Sequence, residues 1–329
     1  IVEDSAGNLI VGEGNLGFVK ILTADNTVDR TFAAGNRNFR GSAADTCTLD
    51  GTNNSIVKNI NNLGLATNVL GVSGDVIYGA DSGSNNGKIV GINTSGECIE
   101  VITYAELGGF RPYAMEVRTI GGEDHLFASG RWWGGSDWRK YFYTKNLTTG
   151  DSLTCGSNYG GSLGTVIQSG IRLTVDNSGG FVYYNYQGHI HGYALTKTGN
   201  NYCPSDTGRD KYYAQGNSNT SHRKATAIQV SPDSDSTIYV TSSNHGVVQK
   251  VSLTGDNTLT SVILAGRKRN AENTASAGAL SAAEVNLWGP QALFVTSTKV
   301  WVSDNKATIQ EFDENKFTVA NIDTSWQAE

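Results

Sequence analysis

The chain has 329 residues, a formal net charge of -6, 17% charged residues, 40 Gly and only 4 Pro. It has no Gly-X-Y period, no Leu/Glu/Lys-rich heptads and no apolar run near the ~20 residues of a spanning helix, which excludes collagen, coiled coil and a transmembrane helix in this chain. Recurrent hydrophobic runs argue against disorder, and the mild acidity gives no electrostatic reason to expect a nucleic-acid partner.

Short apolar runs separated by Gly/Asn/Asp/Ser turns predict β-strands along the whole chain. The chain opens at Ile1, without a Met and within a predicted strand, so a processed protein or an excised domain is expected. The first copy of a recurring pattern runs from Ile1-Val2-Glu3-Asp4 through the turn Ser5-Ala6-Gly7-Asn8 into Leu9-Ile10-Val11-Gly12-Glu13 and then Gly17-Phe18-Val19-Lys20-Ile21-Leu22. Later copies begin their second strands at Val76, Leu126, Val182, Ile238 and Val300. Six copies in 329 residues average about 55 residues each. That period, with about four strands per copy, predicts an all-β fold: a six-bladed β-propeller of four-stranded antiparallel blades. A pair of β-sandwiches would need a central linker, and none is seen. One domain over 1–329 is expected, with blades at about 1–40, 62–105, 111–156, 166–204, 224–266 and 288–326. Segments 41–61, 205–223 and 267–287 are then long inter-blade loops.

The wording of the copies adds a resemblance. Leu264-Ala265-Gly266 is followed by Asn286-Leu287-Trp288-Gly289-Pro290, then Lys299-Val300-Trp301-Val302-Ser303-Asp304-Asn305 and Ile309-Gln310-Glu311-Phe312-Asp313. With Asp4-Ser5-Ala6-Gly7-Asn8-Leu9-Ile10-Val11 and Val76-Ile77-Tyr78-Gly79-Ala80-Asp81-Ser82-Gly83, this resembles the NHL-repeat family. The third and fourth copies depart from the pattern through aromatic insertions. In propellers of this kind, the loops between second and third strands and the loops joining blades share the face that usually holds a ligand.

Four cysteines occur without a C-x-x-C pair, which argues against a zinc ribbon or a thioredoxin-like motif. Cys47 and Cys98 are 51 residues apart, and Cys155 and Cys203 are 48 apart. Both steps lie close to the repeat, so 47–98 and 155–203 are the expected disulfides, stapling neighbouring blades. Four unpaired thiols are the alternative. Bonded cysteines would place the chain outside a reducing cytosol, in a periplasm, on a cell surface or secreted.

Several residues are candidates for ligand contact. The stretch Arg131-Trp132-Trp133-Gly134-Gly135-Ser136-Asp137-Trp138-Arg139 reads as a flexible loop. Aromatic planes stack on sugar rings, and Arg and Asp hydrogen-bond hydroxyls. The same tryptophans are equally suited to packing the insertion onto its blade. Arg111-Pro112-Tyr113 and Trp288-Gly289-Pro290 take matching positions at the start of blades 3 and 6, and Tyr186 closes a second strand. His189 and His245 are one repeat apart and His222 precedes blade 5, so three imidazoles are candidate Zn ligands; a plain polar turn role is the commoner use of such residues. Glu13, Asp81 and Asp304 end second strands, where carboxylates either hold Ca²⁺ or cap the turn. The short basic run Arg267-Lys268-Arg269 suits a solvated loop. Sequons stand at Asn53, Asn93, Asn146 and Asn219.

No G-x-S-x-G elbow, H-E-x-x-H or P-loop is present. The reading therefore leans to a non-enzymatic, extracytoplasmic binding domain, without an obligatory cofactor, for a glycan or protein partner. A metal-dependent propeller enzyme using Zn or Ca (a lyase or a lactone hydrolase) is the first alternative. A structural module of a larger surface assembly is the second.

Overall fold

The computed structural model describes residues 1–13, 17–25, 27–29, 70–81, 87–94, 98–133, 138–156, 163, 167, 172–186, 189–205, 211–213, 225–242, 246–254, 258–266, 287, 289–304, 309–313 and 320–321. The fold is all-β and of β-propeller type: antiparallel four-stranded meanders follow one another along the chain. The first holds β1 (Val2–Glu3), β2 (Leu9–Glu13), β3 (Gly17–Leu22) and β4 (Thr27–Val28). The second holds β5 (Leu70–Ser73), β6 (Val76–Asp81), β7 (Lys88–Asn93) and β8 (Cys98–Ile102). The third holds β9 (Arg111–Ile120), β10 (Glu123–Trp133), β11 (Trp138–Asn146) and β12 (Ser152–Cys155). The fourth holds β13 (Leu173–Val175), β14 (Phe181–Tyr186), β15 (His189–Thr198) and β16 (Asn201–Pro204), and β17 (Lys211–Tyr213) also pairs with β15. The fifth holds β18 (Ala225–Ser231), β19 (Ser234–Ser242), β20 (Val247–Thr254) and β21 (Thr258–Ala265). The last holds β22 (Pro290–Val295), β23 (Lys299–Asp304), β24 (Ile309–Asp313) and β25 (Ala320–Asn321).

Every landmark chosen from the sequence falls in the second strand of its sheet. One expectation is corrected. Segment 205–223 is not wholly loop, because Lys211–Tyr213 pairs with Ile190–Gly192 of β15. Two adjacent tyrosines favour an extended backbone there. The expected loop 41–61 lies outside the described residues, as does 267–287 except for Leu287, which is buried. Leu163 and Ile167 are helical and buried. Among the described residues no helix is long and apolar enough to cross a membrane.

The chain divides into two compact units, one of residues 2–171 and 194–208, the other of residues 1, 172–193 and 209–329. In the first unit, β5 and β9 approach so closely that a Cβ on Gly71 would stand 2.4 Å from Val117 Cγ2. In the second, Gln229 of β18 clamps β22 through both ends of its amide. Its Oε1 accepts from Val295 N at 2.9 Å and its Nε2 donates to Val295 O at 3.2 Å. Val248, Leu293 and Val302 pack the core of the last two sheets, and Ile228, Val240 and Tyr183 that of the preceding pair.

The first hairpin of a sheet uses a repeated turn. Asp4 Oδ1 accepts from the backbone of Ala6 and Asn8 at 3.0 and 2.8 Å, and Gly7 takes φ 81. Asp176 Oδ1 accepts from Gly180 N at 2.7 Å, and Gly179 takes φ 70. Positive φ is the reason for Gly at that position. The two carboxyls nevertheless shift in opposite directions. Burial pushes Asp176 up, and the charge of Asp235 adds to it. Burial also acts to raise Asp4, but hydrogen bonds from Lys20 and Asn8 outweigh it and hold this carboxyl below its ordinary value.

The same hairpins are joined from sheet to sheet. Ser5 Oγ donates to Asp75 at 2.6 Å and Ser73 Oγ to Asp124 at 2.7 Å in the first unit. In the second, Asn177 N donates to Asp235 at 2.6 Å and Ser297 Oγ to Asp233 at 2.8 Å. Three of these joints set a serine hydroxyl against a carboxylate of the adjacent sheet, and the Asn177 joint uses a backbone N–H.

Cys155 of β12 and Cys203 of β16 form a disulfide, as their spacing predicts. Cys98 of β8 is also disulfide-bonded. Its expected partner, Cys47, lies outside the described residues.

Candidate functional site

The third sheet has the longest hairpin, and the tryptophan-rich stretch sits at its end. It is not a nine-residue loop. Arg131, Trp132 and Trp133 complete β10, Trp138 and Arg139 begin β11, and only residues 134–137 separate the strands. Aromatic residues favour strand backbone, so the ladder runs on to the Trp133–Trp138 pair.

Behind that pair lies a row of cations. Arg131 is opposite Arg111 on β9 and opposite Lys140 on β11. Directly opposed residues of an antiparallel sheet share a face, so three basic side chains lie side by side. All three are half-buried. The Arg131 guanidinium sits over the Tyr113 ring, 5.1 Å from its centroid. Arg111 also acts electrostatically on Tyr104, whose hydroxyl is pushed up chiefly by burial while the Arg111 charge opposes the rise.

Glycine makes this arrangement possible. A register shift lies between Ser129 and Gly130, so β10 and β9 crowd together at Gly130. A Cβ there would stand 1.8 Å from Arg111 O and 2.7 Å from Phe110 Cδ2. The ring of Phe110 stacks on Tyr141, at 5.4 Å between centroids and 6° between planes. Tyr141 pairs with Gly130, one residue out of step with the cationic row, so the stack backs the sheet on the opposite face. On the neighbouring sheet, a Cβ on Gly87 would lie 2.8 Å from Arg111 Cα. The backbone of Arg111 is thus pinned from two sides. Pro112 and Pro290 both lie in the outermost position of their sheets, where a missing N–H costs no ladder bond.

The other candidates are more scattered. His189 opens β15 and is half-buried. His222, His245 and Trp288 lie outside the described residues, and Tyr186 is the last residue of β14. Glu13, Asp81 and Asp304 end β2, β6 and β23, as expected. Among the described residues, no three His, Cys, Asp or Glu side chains are grouped as metal donors. The Asn146 sequon is spent within the fold. Its side chain is fully buried, donates to Glu123 Oε2 at 2.9 Å and accepts from the backbone of Thr148 and Thr149 at 2.9 and 3.0 Å.

Sequence reasoning passed over His125, at the other end of β10. It is 1% exposed, edge-on to Tyr202 at 5.0 Å, and 3.9 Å from Glu123 Oε2. Burial pushes its pKa below the ordinary value, Lys197 acts in the same direction, and Glu123 and Asp124 oppose them. The folded chain therefore holds His125 neutral at pH values where the unfolded chain, near pKa ~6.5, takes up a proton. Stability should fall as pH drops through about 6.5 and level off once pH passes the lowered folded value. His125→Gln should flatten this part of the profile. Thermal midpoints of both proteins from about pH 7.5 to pH 5 check it, and parallel profiles would refute it.

No family model matches the chain, and no curated protein does. Solved structures do resemble it. A protein of unknown function from Bacteroides thetaiotaomicron is 12% identical with TM-score 0.48, over 78% of this chain and 58% of its own. An auxiliary nutrient binding protein from Bacteroides ovatus is 14% identical with TM-score 0.44, over 75% and 54%. A periplasmic gluconolactonase from Pseudomonas aeruginosa is 12% identical with TM-score 0.45, over 96% and 82%. The chain thus spans little more than half the length of the two Bacteroides proteins it matches.

Proposed function

We propose that the chain is a single NHL-like propeller domain of six blades over 1–329. On this reading it is an extracytoplasmic recognition domain that binds a glycan through the end of the β10–β11 hairpin. The observation that carries the reading is the cross-strand pairing of Trp133 with Trp138, directly beyond the Arg131–Tyr113 contact. Paired aromatic residues at a hairpin end, with guanidinium donors behind them, combine stacking and hydrogen bonding as sugar rings require. The Cys155–Cys203 bond supports a location outside a reducing cytosol.

A glycan array tests the proposal. The wild-type chain should bind a defined subset of glycans. Trp133→Ala and Trp138→Ala should each weaken that binding by about tenfold or more, with circular dichroism unchanged. Elemental analysis of the dialysed protein runs alongside. One equivalent of Ca or Zn would overturn the binding-domain reading in favour of a metal-dependent lyase or lactone hydrolase. Silence on the array with no bound metal would favour a structural module.

A further inference from the structure

We infer that the second unit holds one small neutral polyol, the size of a free monosaccharide, between its fourth and fifth sheets, with Asn185 and Ser242 as the polar contacts. This site is separate from the β10–β11 hairpin and does not rest on the glycan reading. The two sheets share a core that includes Tyr183, Ile228, Ile238, Val240 and Val251. Side chains two residues apart on a strand share a face. Asn185 therefore follows Tyr183 towards that core, Ser242 follows Val240, and Gln249 precedes Val251. The pairing of Leu173 with Tyr184, taken one step on, sets Arg172 opposite Asn185. One end of the interface thus turns from apolar to polar while staying buried: Asn185 and Arg172 are 6% exposed, Gln249 3% and Ser242 1%.

Neighbouring buried hydroxyls are paired. Thr174 Oγ1 accepts from Val230 N at 2.9 Å, and the Thr226 and Thr241 hydroxyls meet at 2.9 Å. Arg172 and Gln249 have partners of their own. Asn185 Nδ2 and Ser242 Oγ differ: among the described residues neither has a hydrogen-bond partner. Leaving such groups unpaired in the interior is costly, and a ligand that pairs them recovers that cost. Ser242 is also held in place, because Gly246 N donates to its carbonyl at 2.9 Å and Gly266 packs too close to Gly246 O for any Cβ. The chemistry favours a neutral ligand. Both unpaired groups are uncharged, and burial pulls even the Arg172 guanidinium down to about 9, so a further charge in this layer would be costly. Asn185 Nδ2 needs an acceptor, and a serine hydroxyl donates or accepts. A hydroxyl does both, so adjacent hydroxyls of a polyol satisfy the two together. Tyr183 and Val240, next along the same strands, supply an apolar floor for the C–H face of a sugar ring. Facing sheets stand about 10 Å apart, a gap that side chains as short as Asn and Ser do not span. The near-complete burial leaves no path for a second linked ring.

Isothermal titration calorimetry of the wild-type chain tests this with glucose, galactose, mannose, xylose and myo-inositol. At least one should bind with a Kd below about 1 mM, and about tenfold or more tighter than lactose, maltose or glucuronate. Ser242→Ala and Asn185→Leu should each weaken that binding by about tenfold or more. Without ligand, Asn185→Leu should raise the thermal midpoint by about 2 °C or more, because an unpaired amide gives way to an apolar side chain of similar size. No binding by any of the five probes, or binding that survives both substitutions, would overturn the inference. A disaccharide or glucuronate that binds as tightly as the monomers would overturn the enclosed, neutral site. No binding together with a midpoint lowered by Asn185→Leu would assign an ordered water only to the two groups. Ser242→Ala removes one oxygen and no hydrogen bond of its side chain, so its result decides the matter even if Asn185→Leu fails to fold.

Discussion

Replacing Cys155 and Cys203 together by serine should lower the stability of the chain by about 4 kcal/mol, the chain-entropy value for a closed loop of this length. The bond closes 48 residues and joins β12 to β16, strands of only four residues each. Four-residue strands at the margin of a sheet make few ladder bonds, so the covalent link replaces cooperativity that the hydrogen bonds cannot supply. Its loss should reach further than the two sulfurs. Tyr202, next to Cys203, packs against His125 and Phe127, with ring centroids 5.0 and 6.4 Å away. Freed of the link, β16 would carry Tyr202 away and open His125 to water. We expect a thermal midpoint roughly 6 °C lower, read by near-ultraviolet circular dichroism. A double variant within about 2 °C of wild type would show that the strands hold without the link.

Gly130→Ala should be nearly as damaging, by about 3 kcal/mol or more, because the new methyl would meet backbone. Arg111 O lies 1.8 Å from the position of the added Cβ, and Phe110 Cδ2 lies 2.7 Å away. A flexible side chain would move aside, but Arg111 is held by its own ladder and by the approach of Gly87. Relief requires β9 and β10 to separate, which breaks the stack of Phe110 on Tyr141 and the alignment of Arg111 with Arg131. Gly150→Ala supplies the comparison. Nothing lies within 4 Å of its added Cβ, and only its φ of +84 opposes the change. That strain is worth about 1 kcal/mol. Urea unfolding of the two variants should rank Gly130→Ala well below Gly150→Ala, and equal midpoints would refute the argument.

Much of the fold was legible because it rests on local chemistry. Val76-Ile77-Tyr78, Ile238-Tyr239-Val240 and Val300-Trp301-Val302 are β-branched and aromatic runs bounded by turn residues, and each became a second strand. The cysteine spacing gave one staple directly, because a bond between equivalent strands must repeat the strand period. The fourth sheet was harder to read, since aromatic insertions broke its pattern. Even so, Asp176-Asn177-Ser178-Gly179 keeps the Asp and Gly spacing of Asp4-Ser5-Ala6-Gly7, and that spacing is the signal that reveals its turn. β17 was missed because three residues are too few for a periodicity. The cationic row was missed for a different reason. Arg111, Arg131 and Lys140 are 20 and 9 residues apart in sequence, and only the ladder register, including the shift at Gly130, aligns them. His125 escaped notice because nothing in its neighbours along the chain marks it as buried. Its partner Tyr202 arrives from a strand some 77 residues later.

The hairpin joints bear on how such a chain changes over generations. Ser5–Asp75, Ser73–Asp124 and Asn177–Asp235 each set a donor on one tip against an acid on the next, while in Asp233–Ser297 the acid comes first and the donor second. Ser73 donates forward from the same hairpin whose Asp75 accepts from behind. The second hairpin thus carries both halves of a seam, whereas the fifth presents an acid to each neighbour and needs a donor from both. A duplicate of the second hairpin would fit between neighbours in the order donor then acid, while a duplicate of the fifth would have to find a donor on both flanks.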